Sequence, residues 1–404
     1  MLITPIVTSP ARVRRFPPLS ALIVGLRSSR PQIIRQREQR DGDTFHASQG
    51  SGGIHPLPPS ILNHQGSAGT VCRAATFSEF AAASRSRSVS RYPLASRMRH
   101  ATLPSAGRLF PAPGGYYYVD SEWGTLKEVL LASPEHLSLV PCNAVSIEAV
   151  RRGLASCSTR SAEQHRAMAA ALTKAGVDVH LAPAMPGMPD LAFTRDTSLM
   201  TPWGLVGLRP GALHRRSEVD VVLRAAARSG VPTAGRVESG QVEGGDICLL
   251  RPGVVVIGVS GVRTDAAGAE ALGAMFKIRG WTVITTEIDA RLLHLDTHFC
   301  MLDQNLALGC TERLDPAFLA EVAGLGVKVI PVHLDEVSAL GCNVLALGQR
   351  RIISPGTAPR IDEAVRRLGF EVITVALDEF TRCGGGVHCL TMPLRREAGS
   401  FGRT

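Results

Sequence analysis

Cys389 closes a glycine-rich run, Gly384-Gly385-Gly386-Val387-His388-Cys389, near the end of a 404-residue chain. A thiol needs bare backbone around it if a substrate carbon is to come within bonding distance, and three glycines supply that clearance. Three further groups of reactive side chains stand upstream: Asp190 with Phe193-Thr194-Arg195-Asp196, Glu243-Gly244-Gly245-Asp246, and His294-Leu295-Asp296-Thr297. A cysteine, a histidine and several carboxylates are the parts of a covalent cysteine catalyst acting on a cationic substrate. Each group alone has an ordinary explanation. Glu-Gly-Gly-Asp is a tight turn, His294 a hydrogen-bonded strand residue, Arg195 with Asp196 a local ion pair, and Cys300, Cys310 and Cys342 core thiols. Their joint occurrence, in one order on one repeating frame, is what argues for a site.

That frame is a fivefold repeat. From residue 160 onward an amphipathic helix is followed by a glycine and then an apolar residue that opens a short strand, at Gly176, Gly230, Gly280, Gly326 and Gly369. Each glycine stands where a helix C-cap needs a positive φ. Paired strand signals fill the intervals, as in Thr197–Met200 with Leu205–Leu208, Ile247–Leu250 with Val254–Val259, and Val344–Leu347 with Arg351–Ile353. Five such units closing on themselves predict a five-bladed α/β propeller, with strands around a channel and helices outside. An open doubly wound sheet is the alternative. It fits less well, because the strands come in hairpin pairs and no glycine-rich phosphate turn follows the first one.

Residues 1–100 carry fourteen Arg, no Lys and four acidic residues, whereas the whole chain has a net charge of +9. The basic character thus belongs to the leader, and no nucleic-acid partner is inferred from it. Rich in Arg, Ser, Pro and Gly and without apolar periodicity, residues 1–110 are expected to be a disordered leader, ahead of a catalytic propeller domain over residues 111–404. The leader reads either as an organelle transit peptide or as an upstream extension of a protein that starts at Met98. Glu38, Asp41 and Asp43 suit a transit peptide poorly. Leu19–Leu26 is too short to span a bilayer, so no membrane association is expected. Nine cysteines without a CxxC pair read as reduced thiols of a cytoplasmic protein, with neither a disulfide framework nor a metal site.

The set Phe-Thr-Arg-Asp, Glu-Gly-Gly-Asp, His-Leu-Asp-Thr and Gly-Gly-Gly-x-His-Cys-Leu-Thr, over roughly residues 118–397, resembles the guanidine-modifying enzymes. These are the arginine deiminases, dimethylarginine dimethylaminohydrolases and amidinotransferases, which share a five-bladed propeller. The resemblance implies Cys389 as nucleophile, His294 as general acid and base, and Glu243 as the group that orients His294. It implies Asp196 and Asp296 as the carboxylates gripping a guanidinium. At the other end of the substrate it implies Arg215 and Arg263 on an α-carboxylate and Asp190 on an α-ammonium, with Phe193 among the substrate-binding residues. Asp190 is similar to the dimethylarginine hydrolases and Asp296 to the deiminases, so the chain carries a mixed signature. Arg382 and Cys383 stand where deiminases place a further arginine. The implied reaction is hydrolysis of arginine or methylated arginine to citrulline and ammonia or an alkylamine, with no metal or organic cofactor. An amidinotransferase or a non-catalytic binding propeller are the alternatives, and a homo-oligomer is left open.

Overall fold

The computed structural model describes residues 116–397 together with a two-residue strand, β1 (Arg14–Arg15). The leader expected over residues 1–110 lies outside the described residues apart from that pair, and so do Met98 and Cys72. The first unit runs through β2 (Leu126–Ala132), α1 (Ala144–Arg151), α2 (Ser158–Lys174) and β3 (Asp178–Ala182). The second has β4 (Ser198–Thr201), β5 (Gly204–Gly207), α3 (Glu218–Arg228) and β6 (Thr233–Arg236). The third has β7 (Ile247–Arg251), β8 (Val254–Val259), α4 (Ala266–Lys277) and β9 (Thr282–Glu287). The fourth has β10 (Phe299–Asp303), β11 (Leu306–Gly309), α5 (Pro316–Gly324) and β12 (Lys328–Pro331), with the short helix α6 (Leu334–Ser338) after it. The fifth has β13 (Leu345–Gly348), β14 (Arg351–Ser354), α7 (Pro359–Arg367) and β15 (Glu371–Thr374). Last come α8 (Asp378–Thr381) and β16 (Met392–Arg396).

In each later sheet the second hairpin strand is central, antiparallel to the first and parallel to the third. The first unit lacks a leading strand of its own. β16, from the far end of the chain, fills that place antiparallel to β2, while β2 pairs parallel with β3 and β1 adds at the edge. β16 also lies beside β4, β7 beside β10, β10 beside β13, and β13 beside β2.

The repeat glycines do what their positions predict. Gly176, Gly230, Gly280, Gly326 and Gly369 all have φ between 78° and 86°. After each, two backbone bonds close the helix end; Gly326 N–H donates to Ala323 O at 2.8 Å and Val327 N–H to Val322 O at 3.0 Å. The apolar residue that follows is the cap's hydrophobic partner and not the first strand residue: Val177, Val231, Trp281, Val327 and Phe370 are buried, and pairing begins beyond them. A Cβ at Gly326 would have no atom within 4 Å. Gly326→Ala is therefore expected to cost about 1 kcal/mol through backbone strain alone; a urea midpoint equal to or above wild type would contradict this.

The helices bury one stripe each. α3 buries Val219, Val222, Leu223 and Ala226, and α7 buries Ile361 and Val365 while Arg360, Glu363, Arg366 and Arg367 face solvent. The hairpin strands are apolar on both faces, as Ile247–Leu250 and Val255–Ile257 show, since helices cover one face and neighbouring sheets the other. Trp203, in the second unit's hairpin, packs edge-on against Phe276 at 5.1 Å and Trp281 at 6.0 Å in the third, tying the two units together.

Candidate active site

Each reactive group sits in a turn that enters a unit's first hairpin strand. Short 3-10 turns at Thr194–Thr197, Gly244–Asp246 and Leu295–Thr297 lead into β4, β7 and β10. Leu340–Asn343 leads into β13 and the run ending at Cys389 leads into β16. Because the leading strands lie side by side, these turns meet, and residues far apart in sequence share one buried cluster.

His294 Nε2 lies 2.7 Å from Glu243 Oε2, and its Nδ1 is 3.7 Å from Asp196 Oδ1. Burial resists charging of His294, but Asp196, Asp246 and Glu243 outweigh it and raise its pKa from 6.5 to about 10. The ring is thus an imidazolium at neutral pH, with a proton to give. Burial would raise Glu243, yet Arg263 first and then His294 hold it well below the usual carboxylate range. Arg263 Nη1 reaches Glu243 Oε2 at 3.3 Å, and the backbone N–H of Ala212 donates to Glu243 Oε1 at 3.0 Å.

Cys389 Sγ lies 3.4 Å from Asp296 Oδ2 and 3.2 Å from Asn343 Nδ2. Burial, then Asp296 and Asp196, push its thiol well above the ordinary 9.0. Asn343 accepts on Oδ1 from the backbone N–H groups of His388 at 3.1 Å and Cys389 at 3.3 Å. Its Nδ2 also donates to the Asp296 carbonyl at 3.2 Å, so one amide joins the nucleophile turn to the His294–Thr297 turn.

One narrow cavity of about 30 Å³ is lined by Asp190, Phe193, Asp196, Arg215, Arg263, His294 and Cys389, with Cys142, Asn143, Leu293, Cys383, Gly384 and Gly385 completing its wall. Seven of the nine residues singled out in the sequence therefore face one space. Glu243 stands behind His294, outside that lining.

Asp296 differs from the sequence expectation. It lines a separate small cavity with Glu122 and His388, and its Oδ2 is held by His388 Nδ1 at 2.8 Å. His388 Nε2 in turn lies 3.2 Å from Glu122 Oε2, and Glu122 pairs with Arg195 at 3.3 Å. Burial and Arg195 act against charging His388, while Cys300, Asp296 and Glu122 raise it from 6.5 to about 9. Asp296 thus stands behind the thiol with one oxygen engaged by a cation, and only Asp196 of the two expected grips faces the cavity.

Arg215 also departs from expectation. Its guanidinium pairs with Asp196 and with Glu218 at 2.9 Å, and donates to the carbonyls of Phe193 at 2.8 Å and Asp190 at 3.2 Å. A fork so committed cannot also present a bidentate face to a substrate carboxylate. Arg263 keeps more freedom, with Nη1 on Glu243 and Nη2 on the Cys142 carbonyl at 2.7 Å. Asp190 Oδ2 is held by His214 Nε2 at 2.7 Å.

The glycines before Cys389 clear space for protein atoms and not for a substrate alone. A Cβ on Gly385 would meet the Phe193 ring at 2.3 Å and one on Gly386 would meet Asn343 Oδ1 at 2.7 Å. Likewise, a Cβ on Gly245 would strike His294 Nδ1 at 2.7 Å, so Glu-Gly-Gly-Asp is shaped to the imidazole. Arg382 turns away to Glu379 at 2.9 Å and Asp378 at 3.1 Å. Cys383 lines the cavity, but burial foremost pushes its thiol up to about 12. Sequence reasoning missed Asn343, Glu122 and the role of His388. For Asn343 a signal existed, since Gly341-Cys342-Asn343 stands just ahead of the fifth hairpin in the place the other clusters occupy.

The profile of a family described as N,N dimethylarginine dimethylhydrolase, eukaryotic, matches residues 142–396. The N(G),N(G)-dimethylarginine dimethylaminohydrolase of Pseudomonas aeruginosa is 31% identical over 234 residues, covering 58% of this chain and 88% of that enzyme. The arginine deiminase of Rhodococcus opacus is 31% identical over 252 residues, covering 52% of this chain and 61% of its own length. Among solved structures, a mutant of the Pseudomonas aeruginosa dimethylarginine enzyme complexed with citrulline superposes with a TM-score of 0.55 at 27% identity, covering 66% of this chain and 99% of that one.

Proposed function

The chain belongs to the N,N-dimethylarginine dimethylhydrolase family within the guanidine-modifying enzymes, hydrolases of amidine C–N bonds, and on that premise we propose that it hydrolyses arginine or an N-methylated arginine through a covalent Cys389 intermediate. The observation that carries this reading is the shared cavity. A thiol, an imidazolium, two carboxylates and two arginines face one space. Amidino transfer is not favoured, since the two relatives compared above are named as a dimethylaminohydrolase and a deiminase.

In this reading the substrate guanidinium lies against Asp196, between His294 and Cys389. Its charge offsets Asp196 and Asp296, the groups that with burial keep the thiol protonated, so substrate arrival lowers the thiol pKa, the thiol proton leaves to solvent, and the thiolate attacks the guanidinium carbon. His294 gives its proton to the departing amine, which would otherwise be a poor leaving group. The imidazole, now neutral and oriented by Glu243, takes a proton from water, and the hydroxide attacks the S-alkylthiouronium carbon. Collapse expels the thiolate, which takes up the hydroxyl proton to restore the resting thiol, and leaves citrulline. Asn343 holds the sulfur in line through its N–H, and His388 keeps Asp296 aimed at it.

Arg263 receives the α-carboxylate and Asp190 the α-ammonium; Arg215 instead fixes Asp196. Leu293, at φ 70° beside His294, is a strained non-glycine residue on the cavity wall.

The same proposal includes a closed five-bladed propeller over residues 111–404 with 1–110 as a leader. Five sheets, the pairing of β16 with β2 of the first unit and the side-by-side leading strands support closure. It takes a small-molecule substrate in the cytoplasm, without nucleic acid. Among the described residues no helix is long and apolar enough to cross a membrane.

Arginine, monomethylarginine and asymmetric dimethylarginine should each be incubated with the full chain and citrulline measured. At least one should yield citrulline with its amine, and agmatine, which lacks the carboxylate, should be turned over poorly. Arg263→Ala should weaken use of the preferred substrate by about 1.5–3 kcal/mol and weaken use of agmatine less. Absence of citrulline from all three substrates would end the proposal.

A further inference from the structure

Three unlike donors meet at the rim of the cavity, outside the catalytic cluster. Cys142 Sγ, an Asp190 carboxylate oxygen and a His214 ring nitrogen lie within 4.8 Å of one another. They come from three separate segments: the stretch before α1, the chain ahead of Phe193, and the turn Leu213–Arg215. Cys142 is half-buried, Asp190 buried and His214 exposed, so the group opens to solvent on its histidine side. His214 and Asp190 already hold each other at 2.7 Å, which fixes two of the donors in place. The sequence suggests no metal site here, because the three donors share no local spacing.

Thiolate, imidazole and carboxylate together form an S, N, O set. It suits a borderline cation such as Zn²⁺ or Co²⁺ in tetrahedral geometry, with three protein ligands and one position open to water. Hard cations that prefer oxygen ligands would not select a thiolate. We propose that Cys142, Asp190 and His214 form a binding site for a Zn²⁺-class cation at the cavity entrance. On binding, the Cys142 thiol proton leaves to solvent and the His214–Asp190 hydrogen bond gives way to two metal bonds. Arg263, which donates to the Cys142 carbonyl at 2.7 Å, and Arg215, which donates to the Asp190 carbonyl at 3.2 Å, oppose the added charge, and the thiolate and carboxylate ligands themselves offset it. A second group within the same span, Asp196, Glu243 and His294, belongs to the catalytic cluster, where His294 Nε2 is committed to Glu243.

A cation held on Asp190 and a substrate ammonium would exclude one another. That consequence rests on the arginine-hydrolase reading; the metal site does not. The test is therefore read without turnover, by titrating the full, reduced chain with Co²⁺ and recording the thiolate-to-cobalt charge-transfer band and the visible tetrahedral bands. Wild type and Cys389→Ser should both develop the charge-transfer band, and Cys142→Ser should lack it. His214→Ala, at an exposed position that the core does not need, should bind Co²⁺ at least about tenfold more weakly. A band lost in Cys389→Ser and kept in Cys142→Ser would place the metal on the nucleophile and overturn the proposal. So would unchanged affinity in His214→Ala, or no charge-transfer band in wild type.

Discussion

Cys389→Ser should abolish citrulline formation, lowering turnover by at least about 10⁴-fold, which at about 1.4 kcal/mol per tenfold is more than 5 kcal/mol of transition-state stabilisation. A serine hydroxyl in that position has no base to ionise it: His294 is already protonated, and Asp296 Oδ2 is engaged by His388. In the proposed mechanism the thiol, whose pKa is pushed up in the free protein, would ionise when a guanidinium enters beside Asp196. His294→Ala should fail at a different step. The thiolate can still attack a substrate with a good leaving group, but no base then activates water, so the adduct should build up on Cys389 and appear as a mass increase on the intact protein. Wild-type turnover in His294→Ala, or an adduct mapped to Cys383, would show that the roles are assigned wrongly.

Arg215→Ala should act first on stability. The substitution leaves Asp196 and Glu218 buried without their shared cation, and loss of one partner from a buried ion group costs roughly 3–5 kcal/mol. Glu218 is poised unfavourably even in wild type, since burial, opposed by Arg215 and reinforced by Asp190, raises its pKa from 4.5 to about 7, and its Oε1 has no hydrogen-bond partner. A carboxyl whose folded pKa lies above its unfolded value stabilises the fold relative to higher pH when it is protonated, and that contribution is lost as pH rises from about 4.5 through 7. Removing Arg215 should raise the Glu218 pKa further. The stability deficit of Arg215→Ala in urea melts should therefore be larger at pH 8 than at pH 5. A variant as stable as wild type, with only its affinity for arginine reduced, would return Arg215 to the substrate's carboxylate.

The difference between Arg215 and Arg263 shows where sequence reading stops. Both arginines were placed at the site by the resemblance, but the direction of a guanidinium fork is set by whichever carboxylates tertiary packing brings within reach. For Arg215 these are Asp196 and Glu218, the latter three residues along the same segment, and so its donors are used internally. For Arg263 it is Glu243, across the cluster, together with the Cys142 carbonyl.

The sequence by itself determined what depends on local geometry. Five helix-ending glycines require a positive φ, paired apolar runs make hairpins, and the reactive residues recur in turns at one point of the repeat; these follow from backbone sterics and side-chain periodicity over a few residues. The clusters and their order were enough to place the chain among the guanidine-modifying enzymes. Only the tertiary structure decided which side chains pair across those turns. Asn343 on the Cys389 sulfur, His388 between Asp296 and Glu122, Phe193 filling the space that Gly385 leaves, and His214 beside Asp190 and Cys142 all depend on contacts between segments 20 to more than 250 residues apart. Hydrogen bonds and charge pairs of that range are fixed by the angle at which one sheet meets the next. No local pattern carries that angle, because it emerges when the apolar strands of all five units pack together and the last strand joins the first unit.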